Sequence, residues 1–267
     1  MVQTCKSQEC FYAKISQYFD ELNKKGEYGC YFRGHFYRLN YIPGSVPFSQ
    51  GSKFFAEVII GLLSKENKLP KVCEIGTGSG IIPIVIWPYA NEITATDIDS
   101  VSLEAARINL INHKVKNVKL QQGDLFDPLS GEQYDYILFN PPYMPSTSIL
   151  CKNKSCGLRL GWEGGADGRK LIDSFVLKIK QYLRPRGAFL LLYPDFLGKG
   201  IILNKIKSLG MKCKIKASCG ICVPGDSELW IENHLQKNHP NIFRSLLNKP
   251  DDQYMKYNLL VLKGGYS

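Results

Sequence analysis

The spacing of apolar positions changes repeatedly along the chain, between short continuous runs and helical stripes. The short runs predict buried strands at 71–75, 92–96, 118–121, 134–139 and 187–193. The stripes predict helices at 52–64, 79–87, 100–112, 168–183 and 200–208. Because strands alternate with helices, we expect a Rossmann-like α/β fold, with a mostly parallel sheet covered on both faces.

The two ends of the chain depart from this rhythm. A helical stripe at 6–25 and aromatic runs within 31–41, around a turn at Gly34, predict a helix and a hairpin. We therefore expect residues 1–47 to form a small cap on a main domain that spans 48–267. Within that domain, strict alternation at 211–217 and an apolar run at 257–262 predict two more strands, which makes seven.

Between those last two strands, residues from about 222 to 254 are predicted to form an insertion. A helix is expected around 229–236, with Trp230 and His234 four residues apart and so on one face. Two roles stay open for these side chains. They could shape the choice of substrate, or they could pack the helix onto the domain.

A glycine-rich turn follows the first main-domain strand. Residues 72–80 read Val-Cys-Glu-Ile-Gly-Thr-Gly-Ser-Gly, and a predicted helix comes next. Glycine allows a sharp turn and a close approach of backbone to ligand, with helix N-terminal amides facing that ligand. The spacing is G-x-G-x-G rather than the G-x-G-x-x-G of dinucleotide sites. It therefore favours a ligand without a pyrophosphate, and we predict S-adenosylmethionine (SAM).

Acidic residues at the ends of the next two strands extend this predicted site. Asp97 comes 21 residues after Gly76, where an acid binds ribose hydroxyls in doubly wound folds. Asp124 could accept a hydrogen bond from the adenine amino group. Glu74 could contact the methionine part of SAM or bond backbone amides. The expected SAM-binding residues are Glu74, Gly76, Thr77, Gly78, Gly80, Asp97, Ile98, Asp124, Leu125 and Asn140.

A second motif, Asn140-Pro141-Pro142-Tyr143, follows the fourth main-domain strand. Prolines have no N–H, so the polar groups left there are acceptors: the Asn140 side-chain oxygen and the Pro141 carbonyl. Two acceptors suit a planar nitrogen that carries two N–H donors, and Tyr143 offers a flat face for stacking. We therefore expect these four residues to be catalytic in methyl transfer to such a nitrogen, which is achieved mainly by positioning.

Composition and charge bear on the location of the protein, the state of its cysteines and its partners. The chain has no apolar run of membrane-spanning length and a polar N-terminus, so we expect a cytoplasmic protein. Nine cysteines are expected as free thiols. The alternative is a four-sulfur zinc site formed by Cys151, Cys156, Cys219 and Cys222. The net charge of +10 fits nucleic acid, the ribosome or an acidic protein as partner, or simply a well-solvated surface.

The Asn-Pro-Pro-Tyr sequence at 140–143, which we call the acceptor motif, resembles the motif of methyltransferases directed at amino groups. These methyltransferases include adenine N6 and glutamine N5 enzymes. Residues 162–169 read Trp-Glu-Gly-Gly-Ala-Asp-Gly-Arg, which is similar to the Gly-Gly-x-Asp-Gly signature of the HemK/PrmC family of release-factor glutamine methyltransferases. Residues 47–52 read Pro-Phe-Ser-Gln-Gly-Ser and are similar to the substrate-side segment that precedes the first helix in members of that family. The resemblance runs from about 48 to 193 and implies methylation of a glutamine side-chain amide in a protein such as a release factor.

Two other substrates stay open from the residues alone. An adenine-N6 enzyme acting on RNA or DNA would stack a flipped base on Tyr143. In its favour, residues 199–216 hold six lysines and no acid, although such a row also protects a sheet edge. A small-molecule N-methyltransferase would use the insertion as a lid.

Overall fold

A seven-stranded sheet forms the centre of the computed structural model, which describes residues 21, 23–129, 131–145, 160–222 and 256–266. The strands are β3 Lys71–Ile75, β4 Glu92–Asp97, β5 Val118–Gln122, β6 Tyr134–Phe139, β7 Leu183–Pro194, β8 Met211–Cys222 and β9 Lys256–Tyr266. Their order along the sheet is β5-β4-β3-β6-β7-β9-β8. The pairs from β5 through β7 are parallel, and β9 is antiparallel to both of its neighbours. The predicted mostly parallel sheet of seven strands is confirmed.

Five helices whose two ends both lie in the described part of the chain accompany the sheet. They are α1 Gln50–Leu63, α2 Ile81–Ile86, α3 Ser100–Asn112, α4 Lys170–Lys178 and α5 Lys199–Ser208. Both long helices begin at side-chain caps: Ser49 exchanges hydrogen bonds with Ser52 at α1, and the Asp99 carboxylate accepts from two backbone amides at α3. Phe126, Phe139 and Phe175 lie ring against ring in the buried core.

The sheet reverses its order between β3 and β6. From β3 the chain moves outward through β4 and β5, and it then returns to the other side of β3 with β6 and β7. Ligands of open α/β sheets bind in the crevice at the carboxyl ends of strands at such a reversal. Both predicted motifs follow the two strands that meet there.

A two-stranded hairpin, β1 Glu27–Phe32 and β2 His35–Asn40, turns at Arg33 and Gly34 and lies against α3. The prediction began the first strand at 31, which was too late. Gly29 and Cys30 continue the pairing, and Cys30 is buried in the core. The predicted helix at 6–25 lies almost wholly outside the described residues. The proposed cap boundary at 47 stays a prediction.

Some predicted boundaries were wrong. The helix expected at 168–183 ends at Lys178 and continues as a short 3-10 turn, Ile179–Tyr182. Strand β7 begins at Leu183, four residues earlier than expected, because Leu183 already pairs with Tyr134 of β6. The polar Arg-Pro-Arg stretch that follows lies in a register irregularity before pairing resumes at Ala188. Strand β8 extends to Cys222. The remainder of the predicted insertion, with Trp230 and His234, lies outside the described residues. In the described part of the chain, no helix has both the length and the apolarity to cross a membrane.

Candidate active site

A cavity of about 400 Å³ lies at the carboxyl ends of β3, β4 and β6. Two further segments line it. Residues 46–49 precede α1, and residues 160–162 lead into the Gly164–Gly168 segment, which we call the second glycine motif. Both predicted motifs therefore meet at one cavity. It is lined by all of the predicted site residues except Gly80, namely Glu74, Gly76, Thr77, Gly78, Asp97, Ile98, Asp124, Leu125, Asn140, Pro141, Pro142 and Tyr143.

The glycine turn approaches the cavity in left-handed backbone conformations. Gly76 has φ 69° and Gly78 has φ 54°, both unfavourable for residues with a Cβ. A Cβ on Gly80 would lie 3.0 Å from the Cβ of Ala106, and Gly80 does not line the cavity. The third glycine therefore serves the packing of α2 on α3, and its predicted contact with SAM finds no support in its position.

The carboxylate of Asp97 is held by the backbone. It accepts hydrogen bonds from the Gly78 N–H at 2.8 Å and from the Asp99 N–H at 3.0 Å. Burial raises the pKa of Asp97, while these backbone bonds oppose the rise. Because an ionised carboxylate can accept about four hydrogen bonds, Asp97 keeps acceptor capacity for ribose hydroxyls.

Glu74 is a buried acid in the floor of the cavity. Its carboxylate accepts a hydrogen bond from the Thr77 hydroxyl at 2.6 Å. Burial raises the pKa of Glu74 to about 8, with a smaller contribution in the same direction from Asp97. Glu74 therefore titrates near neutral pH, and a positive charge in the cavity would favour its ionised form.

The charge of the cavity is opposite to that of the whole chain. Its lining includes Glu74, Asp97, Asp99 and Asp124, and no Lys, Arg or His is found among the described lining residues. Asp124 is exposed at the cavity edge, and Leu125 beside it has φ 46°, a strained conformation for a residue with a side chain. A ligand that carries positive charge, such as the sulfonium and ammonium of SAM, matches this lining.

The acceptor motif is oriented by α1. The Asn140 side-chain NH₂ donates to the Ser52 hydroxyl oxygen at 3.1 Å, and Ser52 also takes part in the capping box of α1. Since the nitrogen of the Asn140 amide is the donor in this contact, its oxygen is the atom that can accept from a substrate. The α1 N-terminus thereby fixes the predicted catalytic side chain.

An aromatic cluster lies beside the acceptor motif. The Tyr143 hydroxyl lies 3.3 Å from that of Tyr257, and the Phe196 ring meets both tyrosine rings edge to face. Burial raises the pKa of Tyr143 well above its usual value, so this hydroxyl stays protonated. Sequence reasoning missed Phe196 and Tyr257. They come from the turn after β7 and from β9, and no motif surrounds either residue.

The second glycine motif supports the acceptor motif from behind. The Met144 N–H donates to the Trp162 carbonyl at 2.9 Å, and the Gly164 N–H donates to the Met144 carbonyl at 2.8 Å. Gly168 has φ 76°, and a Cβ there would lie 2.4 Å from the Tyr143 carbonyl oxygen. The motif therefore sets the backbone position of Tyr143, a role that its spacing alone did not reveal.

The predicted zinc alternative can be examined only in part. Cys219 is a free thiol, whereas Cys151 and Cys156 lie outside the described residues. Among the residues that the structure describes, no group of three or more His, Cys, Asp or Glu side chains is arranged to hold a metal ion.

The fold and the cavity define a class I, Rossmann-like SAM-dependent methyltransferase, and sequence comparison narrows this class. The family model named Methyltransferase small domain matches residues 47–150. The chain is 34% identical over 157 residues to a protein described as a putative N5-glutamine methyltransferase of Methanocaldococcus jannaschii, a match that covers 58% of this chain and 77% of that protein. It is 31% identical to Methyltransferase HEMK2 of Homo sapiens, over 53% of this chain and 68% of that protein.

The chain belongs to the HemK/PrmC family of SAM-dependent N-methyltransferases. It is also 31% identical to a release factor glutamine methyltransferase of Coxiella burnetii, but the match spans about half of each chain, 53% of this one and 51% of that one. Among solved structures, the E. cuniculi Mtq2–Trm112 complex, described as methylating the termination factor eRF1, aligns with a TM-score of 0.55 at 19% identity. That alignment covers 84% of this chain and 99% of the other, and it supports the fold.

Proposed function

We propose that the chain transfers the methyl group of SAM to the side-chain amide nitrogen of a glutamine in a protein, such as a release factor. The observation that carries this proposal is the acceptor set at Asn140 and Pro141, which both line the cavity. The Asn140 amide nitrogen is bonded to Ser52, so its oxygen is left to accept, and the two prolines of the motif bring no N–H groups. A primary amide has two N–H donors in one plane, which this pair of acceptors matches.

SAM, when bound, supplies an electrophilic methyl group on a positively charged sulfur. The residues of this chain orient the acceptor. Asn140 and Pro141 accept the two amide N–H groups and so hold the nitrogen at the cavity, with the amide plane against Tyr143. As the new C–N bond forms, the bond between the methyl carbon and the sulfur breaks, and its electron pair stays on sulfur as a neutral thioether. The amide nitrogen gains the methyl group and gives up one proton to solvent. No strong base is needed at that step, in keeping with a Tyr143 hydroxyl that stays protonated.

The relatives favour a protein amide over a nucleobase, since their names describe glutamine methylation of proteins, release factors among them. The acids of the described lining support the same choice, because a flipped nucleotide brings phosphates to the cavity, and carboxylates repel phosphates.

The location of the substrate is part of the same proposal. Release factors and ribosomal proteins act in the cytoplasm, and we propose that the enzyme acts there too. The basic surface of the chain would then serve an acidic protein or a ribosome-bound substrate. Comparing the chain alone with the chain in cell extract, in the assay below, shows whether methylation requires a second subunit.

The test offers glutamine-containing peptides and adenine-containing oligonucleotides side by side, with methyl-labelled SAM. We expect label on the peptide, and mass spectrometry should locate it on a glutamine side chain. Peptides in which that glutamine is replaced by asparagine are the matched control, since they keep an amide but shorten its reach by one methylene. Label at adenine N6 and not on the peptide would overturn the proposal.

A further inference from the structure

Helix α3 carries two polar residues that are completely buried. Ser102 and Asn109 are each 0% exposed, and they lie seven residues apart, about two turns along the helix and therefore on one face. A polar side chain buried in this way is costly unless it is hydrogen-bonded. Asn109 contacts the end of β2, and Ser102 contacts the segment that joins β2 to α1.

Asn109 joins that segment to the glycine turn. Its side-chain oxygen accepts from the Asn40 N–H at 2.7 Å. Its side-chain nitrogen donates to the Asn40 carbonyl at 3.3 Å and to the Ser79 carbonyl at 3.0 Å. One side chain thus binds the end of β2 and the turn between Gly78 and Gly80 at the same time.

Ser102 makes a second link, closer to the cavity. Its hydroxyl oxygen accepts from the Val46 N–H at 3.1 Å, and the hydroxyl donates to the Asp99 carboxylate at 2.7 Å. The Asp99 N–H in turn donates to Asp97 at 3.0 Å. Val46 itself covers the glycine turn, since a Cβ on Gly78 would lie 3.3 Å from the Val46 carbonyl oxygen.

We propose that Ser102 and Asn109 are positioning residues that couple SAM binding to the docking of the N-terminal hairpin and the segment after it, residues 27–48. This inference rests on the proposed placement of SAM at the glycine turn. Val46, Pro47 and Phe48 form one wall of the cavity, and the two α3 side chains hold that wall against the turn. Coupling is reciprocal: if a docked hairpin strengthens SAM binding, then SAM strengthens the docking by the same factor.

Hydrogen exchange measured by mass spectrometry, with and without SAM, tests the coupling. In the unaltered protein we expect SAM to slow amide exchange in peptides from 27–48 as well as at the glycine turn. In S102A and N109A, SAM should no longer slow exchange in the hairpin. Calorimetry should show SAM affinity weakened by about 5- to 50-fold, which lies within the usual range for a coupling of this kind.

Asn112 provides a matched control on the same helix. Its side chain donates to the Asn40 side-chain oxygen at 2.7 Å but makes no contact with the glycine turn in the described hydrogen bonds. N112A should keep SAM affinity within about twofold of the unaltered protein, as expected for an exposed substitution. It should also keep the SAM-dependent protection of the hairpin.

Several results would overturn the inference. One is hairpin exchange in the unaltered protein that is the same with and without SAM. Another is unaltered SAM affinity in both S102A and N109A. If N109A fails to fold, S102A, which removes a single hydroxyl, still decides the matter. Absence of methylation on glutamine peptides would count against the proposed function alone, because exchange and calorimetry do not depend on the acceptor.

Discussion

Single residues set the chemistry of the cavity through the partners that fix them. Asn140 is the clearest example, since its amide nitrogen donates to Ser52, and we propose that its oxygen accepts from the substrate. Glu74 is the second, since burial keeps it partly protonated near neutral pH. Each leads to a test that separates cofactor binding from acceptor chemistry.

Replacing Asn140 by Ala should abolish methyl transfer while weakening SAM affinity far less, because we place the side-chain oxygen on the acceptor nitrogen and the other expected SAM-binding residues stay in place. Steady-state turnover and calorimetry measure the two effects separately. S52A is the companion variant: it keeps Asn140 but removes its hydrogen-bond partner, so turnover should fall by an intermediate amount. Near-normal turnover in N140A would show that the acceptor role is wrong.

The titration of Glu74 predicts a pH-dependent SAM affinity. Below its pKa of about 8 the group is neutral in the free protein, and above it the group is a carboxylate that attracts a cation. SAM affinity should therefore rise between about pH 7 and pH 9, with proton release on binding below the pKa. Calorimetry in buffers of different ionisation heat measures that release. In E74Q both effects should disappear; a rise that persists there belongs to another group.

At the scale of elements, the strands and helices could be predicted from apolar spacing because their buried faces are continuous. Strands β3 and β6 have the predicted bounds, since each is a short apolar run that ends at a motif. Pairing that begins ahead of the apolar run could not be predicted, as at Leu183, which an irregular polar stretch separates from that run. The reason for a glycine at position 80 could not be predicted either, because the residue that leaves no space for a Cβ there is Ala106 on a different helix.

The second glycine motif gives a prediction at this scale. G168A places a methyl group against the Tyr143 carbonyl and also strains a left-handed residue, so the acceptor motif must shift. Turnover should drop by more than about tenfold, and stability should fall by about 1–3 kcal/mol, the cost of such strain. The control is G131A, since Gly131 has φ 73° and a Cβ added there would meet no atom within 4 Å. It should lose stability without losing turnover; equal turnover in the two variants would remove the supporting role.

At the scale of the whole molecule, the site could be predicted where a motif or the carboxyl end of a neighbouring parallel strand supplies the residues. Phe196 reaches the cavity from the turn after β7, and Tyr257 reaches it because β9 pairs beside β7. Apolar spacing does not reveal that strand order. The contrast between a basic chain and an acidic cavity was hidden for the same reason. Net charge can be counted from the sequence, but its distribution depends on the fold.

That contrast predicts a shallow dependence of glutamine methylation on salt. Binding that releases counterions from phosphates loses affinity steeply as salt rises, and a peptide amide has no phosphates to contribute. Between about 50 and 200 mM salt, kcat/KM on a glutamine peptide should change by less than about tenfold, against about 10³ or more for a substrate held by many phosphate contacts. A steep loss on the peptide would indicate that surface lysines, rather than the cavity, determine binding.

The insertion of β9 between β7 and β8 also determines when the enzyme is complete during folding. Residues of β9 are the last described part of the chain, yet they fill an interior place in the sheet and bring Tyr257 to the cavity. Until β9 pairs, β7 and β8 have no common neighbour. The β7 backbone at the buried Leu190 and Leu192 then lacks its partner strand on that side. Such non-local pairing forms slowly. A newly made chain should therefore form the aromatic cluster of Tyr143, Phe196 and Tyr257 only when β9 has paired with β7.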